Sequence, residues 1–180
     1  MATVIKELLQ RDADAWLKSS YVPWRELFVL RKGTIMQPRA RIGSKRHDKN
    51  CFSNAFNAGD EIASDRGNPD DEAILYVEGF AKSPQMPLAH HAWVGIDGKA
   101  MDPTWREYMG SEYMGVPFNR KIALAEICKT GYFGLLAGGD IINTDLMFRF
   151  DPGLEAVGSQ YLASQGEGPV DDRSQLSRRE

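Results

Sequence analysis

Three residues with the chemistry of a thiol-dependent site occur along the chain in the order Cys51, His91, Asp102. A thiol is a poor nucleophile until a nearby imidazole takes its proton. The imidazole needs an acceptor on its other nitrogen, which sets its tautomer and orientation. All three groups are present in this chain. The first hypothesis is therefore a reactive thiol at Cys51, supported by the other two residues.

The segment between His91 and Asp102 predicts how these two side chains meet. Asp97 and Gly98 are typical of a two-residue hairpin turn between two short apolar strands. The resulting register puts Asp102 diagonal to His91 on the same face, within reach of one imidazole nitrogen. The other nitrogen then faces Cys51 if the cysteine helix packs across that face. The alternative is a surface hairpin whose histidine and aspartate are unrelated.

Cys51 stands at the predicted start of a helix, with Asn50 as its N-cap residue. Free backbone amides and the positive end of the helix dipole favour the thiolate there. The alternative reading of such a cysteine is a small, buried and unreactive side chain. Cys128 has no acid or base near it in sequence, and we interpret it as structural.

Two further polar residues lie close to the proposed triad. Adjacent residues on a strand face opposite sides, so only one of His90 and His91 belongs to the site, and the pairing selects His91. Glu78 lies mid-strand between apolar neighbours. It either orients His91 or binds a substrate amine, or it is exposed at a sheet edge. A zinc site would lack the close ligand pairs of zinc proteins, so we expect neither metal nor cofactor.

Composition limits the class of protein. A chain of 180 residues fits one domain, and a net charge of −3 does not favour nucleic acid as a partner. No apolar run is long enough for a bilayer, and the N-terminus is amphipathic rather than signal-like. We therefore expect two free thiols in a reducing cytoplasm, and no membrane partner.

The pattern predicts a single α+β domain over residues 1–163. It has a helical N-terminal segment at 1–31, a core at about 48–118 and a helical and strand segment at 119–163. In chain order we expect a helix at 3–18, a helix or strand at 24–31, a basic loop at 32–50, a helix at 51–64, strands at 73–81, 90–96 and 99–102, a helix at 122–128, a strand or helix at 140–150, and a disordered tail at 164–180. The basic loop is either solvated, or it supplies a positive field that favours a thiolate or an anionic substrate.

Several of these motifs resemble the transglutaminase-like branch of the papain-like cysteine enzymes, and most closely small uncharacterised bacterial and phage proteins of that type. The resemblance covers residues 48–118, and its motifs are the cysteine at a helix start, Tyr76-Val77-Glu78-Gly79, His91-Ala92-Trp93, Met101-Asp102-Pro103-Thr104-Trp105 and Tyr113-Met114-Gly115-Val116-Pro117-Phe118. It implies an α+β, papain/transglutaminase-like fold, in which the cysteine-bearing helix packs on a small antiparallel sheet.

The same resemblance implies an activity. Cys51 is then the nucleophile of a hydrolase or acyl transferase that acts on an amide or isopeptide bond through a thioester. His91 is the base and then the acid, and Asp102 orients it. The backbone amide of Cys51 would help to stabilise the oxyanion. The partner is then a peptide, a protein or a small amide. The alternative is an inactive member that serves as a binding or accessory protein.

We expect three further residues to bind substrate or support the triad: Asn50, Glu78 and Trp93. The chain also departs from the family pattern. Phe52 follows the cysteine where glycine or tryptophan is frequent, and no upstream glutamine is evident for the oxyanion.

Overall fold

The computed structural model describes residues 4–19, 21–42, 46, 50–105, 111–138 and 141–164. Of the predicted tail, residues 165–180 lie outside these ranges, and so do Lys45, His47 and Lys49 of the predicted basic loop. Within the described ranges, no helix combines the length and the apolar character needed to cross a membrane.

Thirteen helices and strands make up the described part of the chain. In order they are α1 (Val4–Lys18), α2 (Trp24–Lys32), β1 (Thr34–Pro38), α3 (Cys51–Asp65), β2 (Ile74–Lys82), β3 (Ala89–Ile96), β4 (Lys99–Met101), β5 (Glu112–Asn119), α4 (Arg120–Thr130), β6 (Ala137–Gly138), β7 (Ile141–Ile142), α5 (Thr144–Phe150) and α6 (Pro152–Ser164).

Five strands close into a barrel in the order β1-β4-β3-β2-β5. β1 runs parallel to β4 and antiparallel to β5, whereas the other neighbours are antiparallel. The expected papain/transglutaminase-like fold with a small antiparallel sheet is therefore wrong. The error lies in the segment that was expected to be a basic loop. Its residues 34–38 form β1, which pairs with β4 on one side and with β5 on the other and so closes the sheet.

The predicted meander is present as β2, β3 and β4, and its register is the expected one. Ile96 pairs with Lys99 and Val94 pairs with Met101 across the two-residue turn. Both turn residues have positive φ, 53° at Asp97 and 71° at Gly98, which matches the twist of a tight hairpin. This turn explains why the spacing between His91 and Asp102 could be read correctly from the sequence.

The interior of the barrel is filled by side chains from all five strands: Met36, Val77, Ala81, Trp93, Ala100 and Tyr113. Trp93 is fully buried among them and lies across Gly115 of β5. A Cβ atom built at Gly115 would stand 2.6 Å from Cη2 of Trp93. Glycine is therefore required where the indole crosses this strand.

Helices cover the outer surface of the barrel. α3 packs through Ala58, Ile62 and Ala63 against apolar residues of β2, β3 and β4. A larger cluster joins α1, α2, α5 and α6 to the outer face of β2 and β5. This packing brings the N-terminus of α3, and with it Cys51, to the strands that carry the other candidate residues.

Several ambiguous segments are now assigned. Residues 24–31 belong to α2, and the segment at 140–150 contains strand β7 followed by helix α5. The sequence did not predict β5 by its periodicity, nor helix α6 at its position. β5 matters most, since it pairs with both β2 and β1 and so completes the closed barrel.

Candidate functional site

The centre of the candidate site is a buried pair formed by His91 and Asp102. His91 lies on β3, and Asp102 follows the last residue of β4. The distance from His91 Nε2 to Asp102 Oδ2 is 2.7 Å, and each residue is only 3% exposed. The two side chains therefore meet as the hairpin register predicted, in a position shielded from water.

Asp102 is held in place by donors on both of its oxygens. Oδ1 accepts from the backbone amides of Thr104 at 2.8 Å and Trp105 at 3.1 Å. Oδ2 accepts from the hydroxyl of Tyr113 at 3.1 Å, in addition to His91. Burial disfavours the carboxylate, but the bond and charge of His91 and the two amides outweigh it and lower the pKa of Asp102. Asp102 therefore remains an anion that orients the imidazole.

Aromatic rings hold the imidazole from two sides. Trp105 stacks on His91 with ring centroids 4.3 Å apart, and Trp93 is roughly parallel to it at 6.3 Å. Trp93 donates its indole N–H to Met36 Sδ and has no exposed surface. Trp93 was expected either to bind substrate or to support the triad; its ring is enclosed in the barrel beside His91, which is the supporting position.

Cys51 is the first residue of α3, and it is half-buried and not in a disulfide. Its side chain is near enough to His91 to favour the cationic form of the imidazole. Since Nε2 of His91 faces Asp102, Nδ1 is the nitrogen left for Cys51. Burial lowers the pKa of His91, but the bonds and charges of Asp102 and Cys51 outweigh this and raise it to about 9. At neutral pH the imidazole is therefore a cation.

Asn50 occupies the N-cap position of α3, but its side chain makes no capping hydrogen bond. The predicted side-chain cap is therefore wrong. Instead, the Asn50 carbonyl accepts from the hydroxyl of Ser53 at 3.2 Å and from the amide of Asn54 at 2.8 Å. The side chain of Asn50 therefore does not occupy the first amides of the helix.

A contact that the sequence reading missed joins the cysteine helix to the loop of Asp102. Asn54 donates its amide to the hydroxyl of Thr104 at 3.1 Å, and both residues are buried. Thr104 also donates its backbone amide to Asp102. The only sequence feature that could have indicated this contact is a polar residue, Asn54, on the inward side of the predicted helix, about one turn after Cys51.

Of the three roles expected for Glu78, the structure excludes two, an exposed edge position and the orientation of His91. It is fully buried, so it is not an exposed edge residue, and it lies beside His90 rather than His91. Its carboxylate accepts from the backbone amides of Leu135 at 2.5 Å and Leu136 at 2.9 Å. It therefore anchors the loop between α4 and β6.

Tyr76 joins this buried carboxylate to the loop between α4 and β6. Its hydroxyl lies 2.9 Å from Oε2 of Glu78 and 2.9 Å from the carbonyl of Phe133. Burial, followed by the charges of Glu78 and Cys51, raises the pKa of Tyr76 well above its ordinary value. The two bonds of this hydroxyl tie the anchored loop to β2.

The predicted positive field of the basic segment is partly neutralised. Arg39 pairs with Asp97 at 3.4 Å, and Arg46 pairs with Glu61. Both acids lie on neighbouring elements, so these cations serve to attach the segment rather than to face a substrate.

Among the described residues, no group of three or more histidine, cysteine, aspartate or glutamate side chains is placed to hold a metal ion. Cys128, the other thiol, is exposed on α4. Comparisons with protein-family models, with curated proteins and with solved structures gave no match.

Proposed function

We propose that this protein is a cysteine hydrolase or acyl transferase that cleaves an amide or isopeptide bond through a thioester on Cys51. One observation carries the proposal: the buried imidazole of His91 is bonded to Asp102 through Nε2, and Cys51 is the second residue that raises its pKa. A thiol, a base and an orienting carboxylate in this order form an activated nucleophile.

The reaction follows from the positions of these groups. The sulfur of Cys51 attacks the substrate carbonyl carbon, and the amide of Cys51 stabilises the resulting oxyanion. The carbon–nitrogen bond breaks, and the amine leaves with the proton of His91. Water or a second amine then attacks the thioester, gives a proton to His91 and releases the thiolate. Asp102 stays ionised throughout; it orients the imidazole and stabilises its cationic form.

The proposal extends to the setting of the reaction. Cys51 must remain reduced to act as a nucleophile, so we place the protein in a reducing compartment such as the cytoplasm. The substrate is a peptide, a protein or a small amide. The resemblance of the His91 and Asp102 motifs to transglutaminase-like enzymes supports the choice of acyl chemistry.

Alkylation with iodoacetamide at pH 6, followed by mass mapping, tests the nucleophile directly. An ordinary thiol, with a pKa of about 8.5, is almost fully protonated at that pH. Cys51 should therefore react faster than Cys128 by about tenfold or more. His91→Ala should slow Cys51 and leave Cys128 unchanged.

The control for this experiment is Cys128 in the same molecule, together with a thermal melt of each variant. A second arm incubates the protein with a panel of acyl p-nitroanilides and looks for a thioester adduct on Cys51 by mass spectrometry. Equal alkylation rates for the two thiols, with no thioester adduct on Cys51, would contradict the enzyme proposal and favour a binding or accessory protein.

A further inference from the structure

The first turn of α3 is tied to the loop that carries Asp102 by hydrogen bonds between buried groups. Nδ2 of Asn54 donates to Oγ1 of Thr104 at 3.1 Å. The backbone amide of Thr104 donates to Oδ1 of Asp102 at 2.8 Å, and Oδ2 of Asp102 lies 2.7 Å from Nε2 of His91. Three consecutive hydrogen bonds therefore link a residue of the cysteine helix to the imidazole.

Asn54 and Cys51 are neighbours in the same helical turn. α3 begins at Cys51, and the backbone amide of Asn54 bonds to the carbonyl of Asn50 at 2.8 Å, so this first turn is formed. Residues three apart on a helix lie on the same side, with Cβ atoms about 5–6 Å apart. Any shift of Asn54 relative to the loop therefore carries Cys51 with it.

The contact of Asn54 with Thr104 differs in kind from the packing further along α3. Ala58, Ile62 and Ala63 pack against apolar residues of the sheet, beginning about two turns after Cys51. Apolar burial is not directional, so it keeps the helix on the sheet without fixing where its first turn lies. A hydrogen bond requires one distance and one direction. Asn54 is 7% exposed and Thr104 is 2% exposed, so water does not readily replace either partner.

We propose that Asn54 is a positioning residue of the thiol site, whose bond to Thr104 sets the distance between the sulfur of Cys51 and the imidazole of His91. This inference rests on the proposed function and deepens it, because it names the contact that keeps nucleophile and base together. Asp102 and Cys51 both raise the pKa of His91, and only the second of them lies on α3. The two influences can therefore be separated.

The test removes the bond from each side and measures the rate of Cys51 alkylation by iodoacetamide as a function of pH. Thr104→Val deletes the acceptor oxygen but keeps the shape of the side chain and the backbone amide that binds Asp102. The midpoint pH of alkylation should rise by about one unit. Asn54→Ala should raise it equally, and the double variant no further, since one bond is lost in all three. Thr104→Ser keeps the hydroxyl and should retain the wild-type midpoint.

NMR titration of the histidine side chains gives a second measurement. In Thr104→Val and in Asn54→Ala, the pKa of His91 should fall below its wild-type value of about 9, because Cys51 no longer favours the imidazolium. A purely structural role for Asn54 would lower the melting temperature without changing either titration.

The matched control is Ile62→Val, which removes buried packing from the same helix. It should lower the melting temperature and leave both titrations unchanged. If Thr104→Val does not fold, Asn54→Ala decides the same question. Unchanged titrations in the folded variants overturn the positioning role and leave the proposed function standing. If wild-type Cys51 reacts no faster than Cys128, the proposed function fails instead.

Discussion

Replacing Asp102 by asparagine should lower the pKa of His91 from its value of about 9. The raised pKa depends on the bond and charge of Asp102 and on Cys51, which together outweigh the burial of the ring. Asparagine has nearly the same size and keeps an oxygen for the amides of Thr104 and Trp105. The substitution therefore removes the charge with little change in packing.

The size of the effect follows from the shift. His91 has an ordinary pKa of 6.5 and a folded value of about 9. The interval of about 2.5 pH units corresponds to about 3 kcal/mol in favour of the imidazolium. Because the folded pKa is the higher one, this stabilisation is complete below pH 6.5. It is lost as the pH rises to 9.

Two measurements test this reasoning. NMR titration of the histidine side chains should show His91 titrating near pH 9 in the wild type, and more than one pH unit lower in Asp102→Asn. The free energy of unfolding in urea should fall by about 3 kcal/mol between pH 6 and pH 9.5 in the wild type, and by clearly less in the variant.

The control variant is Tyr113→Phe, which removes a hydrogen bond to Asp102 but leaves its charge. It should not lower the pKa of His91. If His91 titrates near pH 6.5 in the wild type, or if Asp102→Asn does not change its titration, the buried ion pair is refuted.

Two further predictions concern the supports of the site. Glu78→Gln should lower the free energy of unfolding by about 2 kcal/mol and speed amide exchange at Leu135 and Leu136, since both amides donate to the lost carboxylate. The control Glu72→Gln, at an exposed position, should have neither effect. Unchanged amide exchange in Glu78→Gln would contradict the role of Glu78 in holding this loop. Gly115→Ala should cost about 1–3 kcal/mol or more, because its Cβ would overlap Trp93. Adding Trp93→Phe should restore part of that loss, and a double variant no more stable than Gly115→Ala would argue against the overlap.

The parts of the molecule that the sequence predicted best are governed by short-range geometry. The turn at Asp97 and Gly98 sets the hairpin register. His91 and Asp102 are 11 residues apart, and so they meet through that register alone. The start of α3 at Cys51 was likewise evident from local pattern, although the cap that Asn50 was expected to provide is absent.

The supports of the site depend on contacts between distant segments. Glu78 is 57 residues from Leu135. Its carboxylate was expected to orient His91, to bind a substrate amine or to be exposed, because nothing near it in sequence indicates the loop it binds. Tyr113 likewise reaches the site from β5. The alternation of side chains along a strand predicted which residues share a face of the sheet. It did not predict which helix or loop covers that face.

The sequence by itself determined the order and spacing of Cys51, His91 and Asp102, the hairpin between the last two, and the helix that begins at the cysteine. These features depend on turn chemistry and on periodicity over a few residues. The tertiary structure alone decided that the sheet closes. β1 pairs with β4 in parallel and with β5 in antiparallel orientation, across separations of more than sixty residues. Such pairings leave no local pattern, because they depend on how the helices and strands pack together.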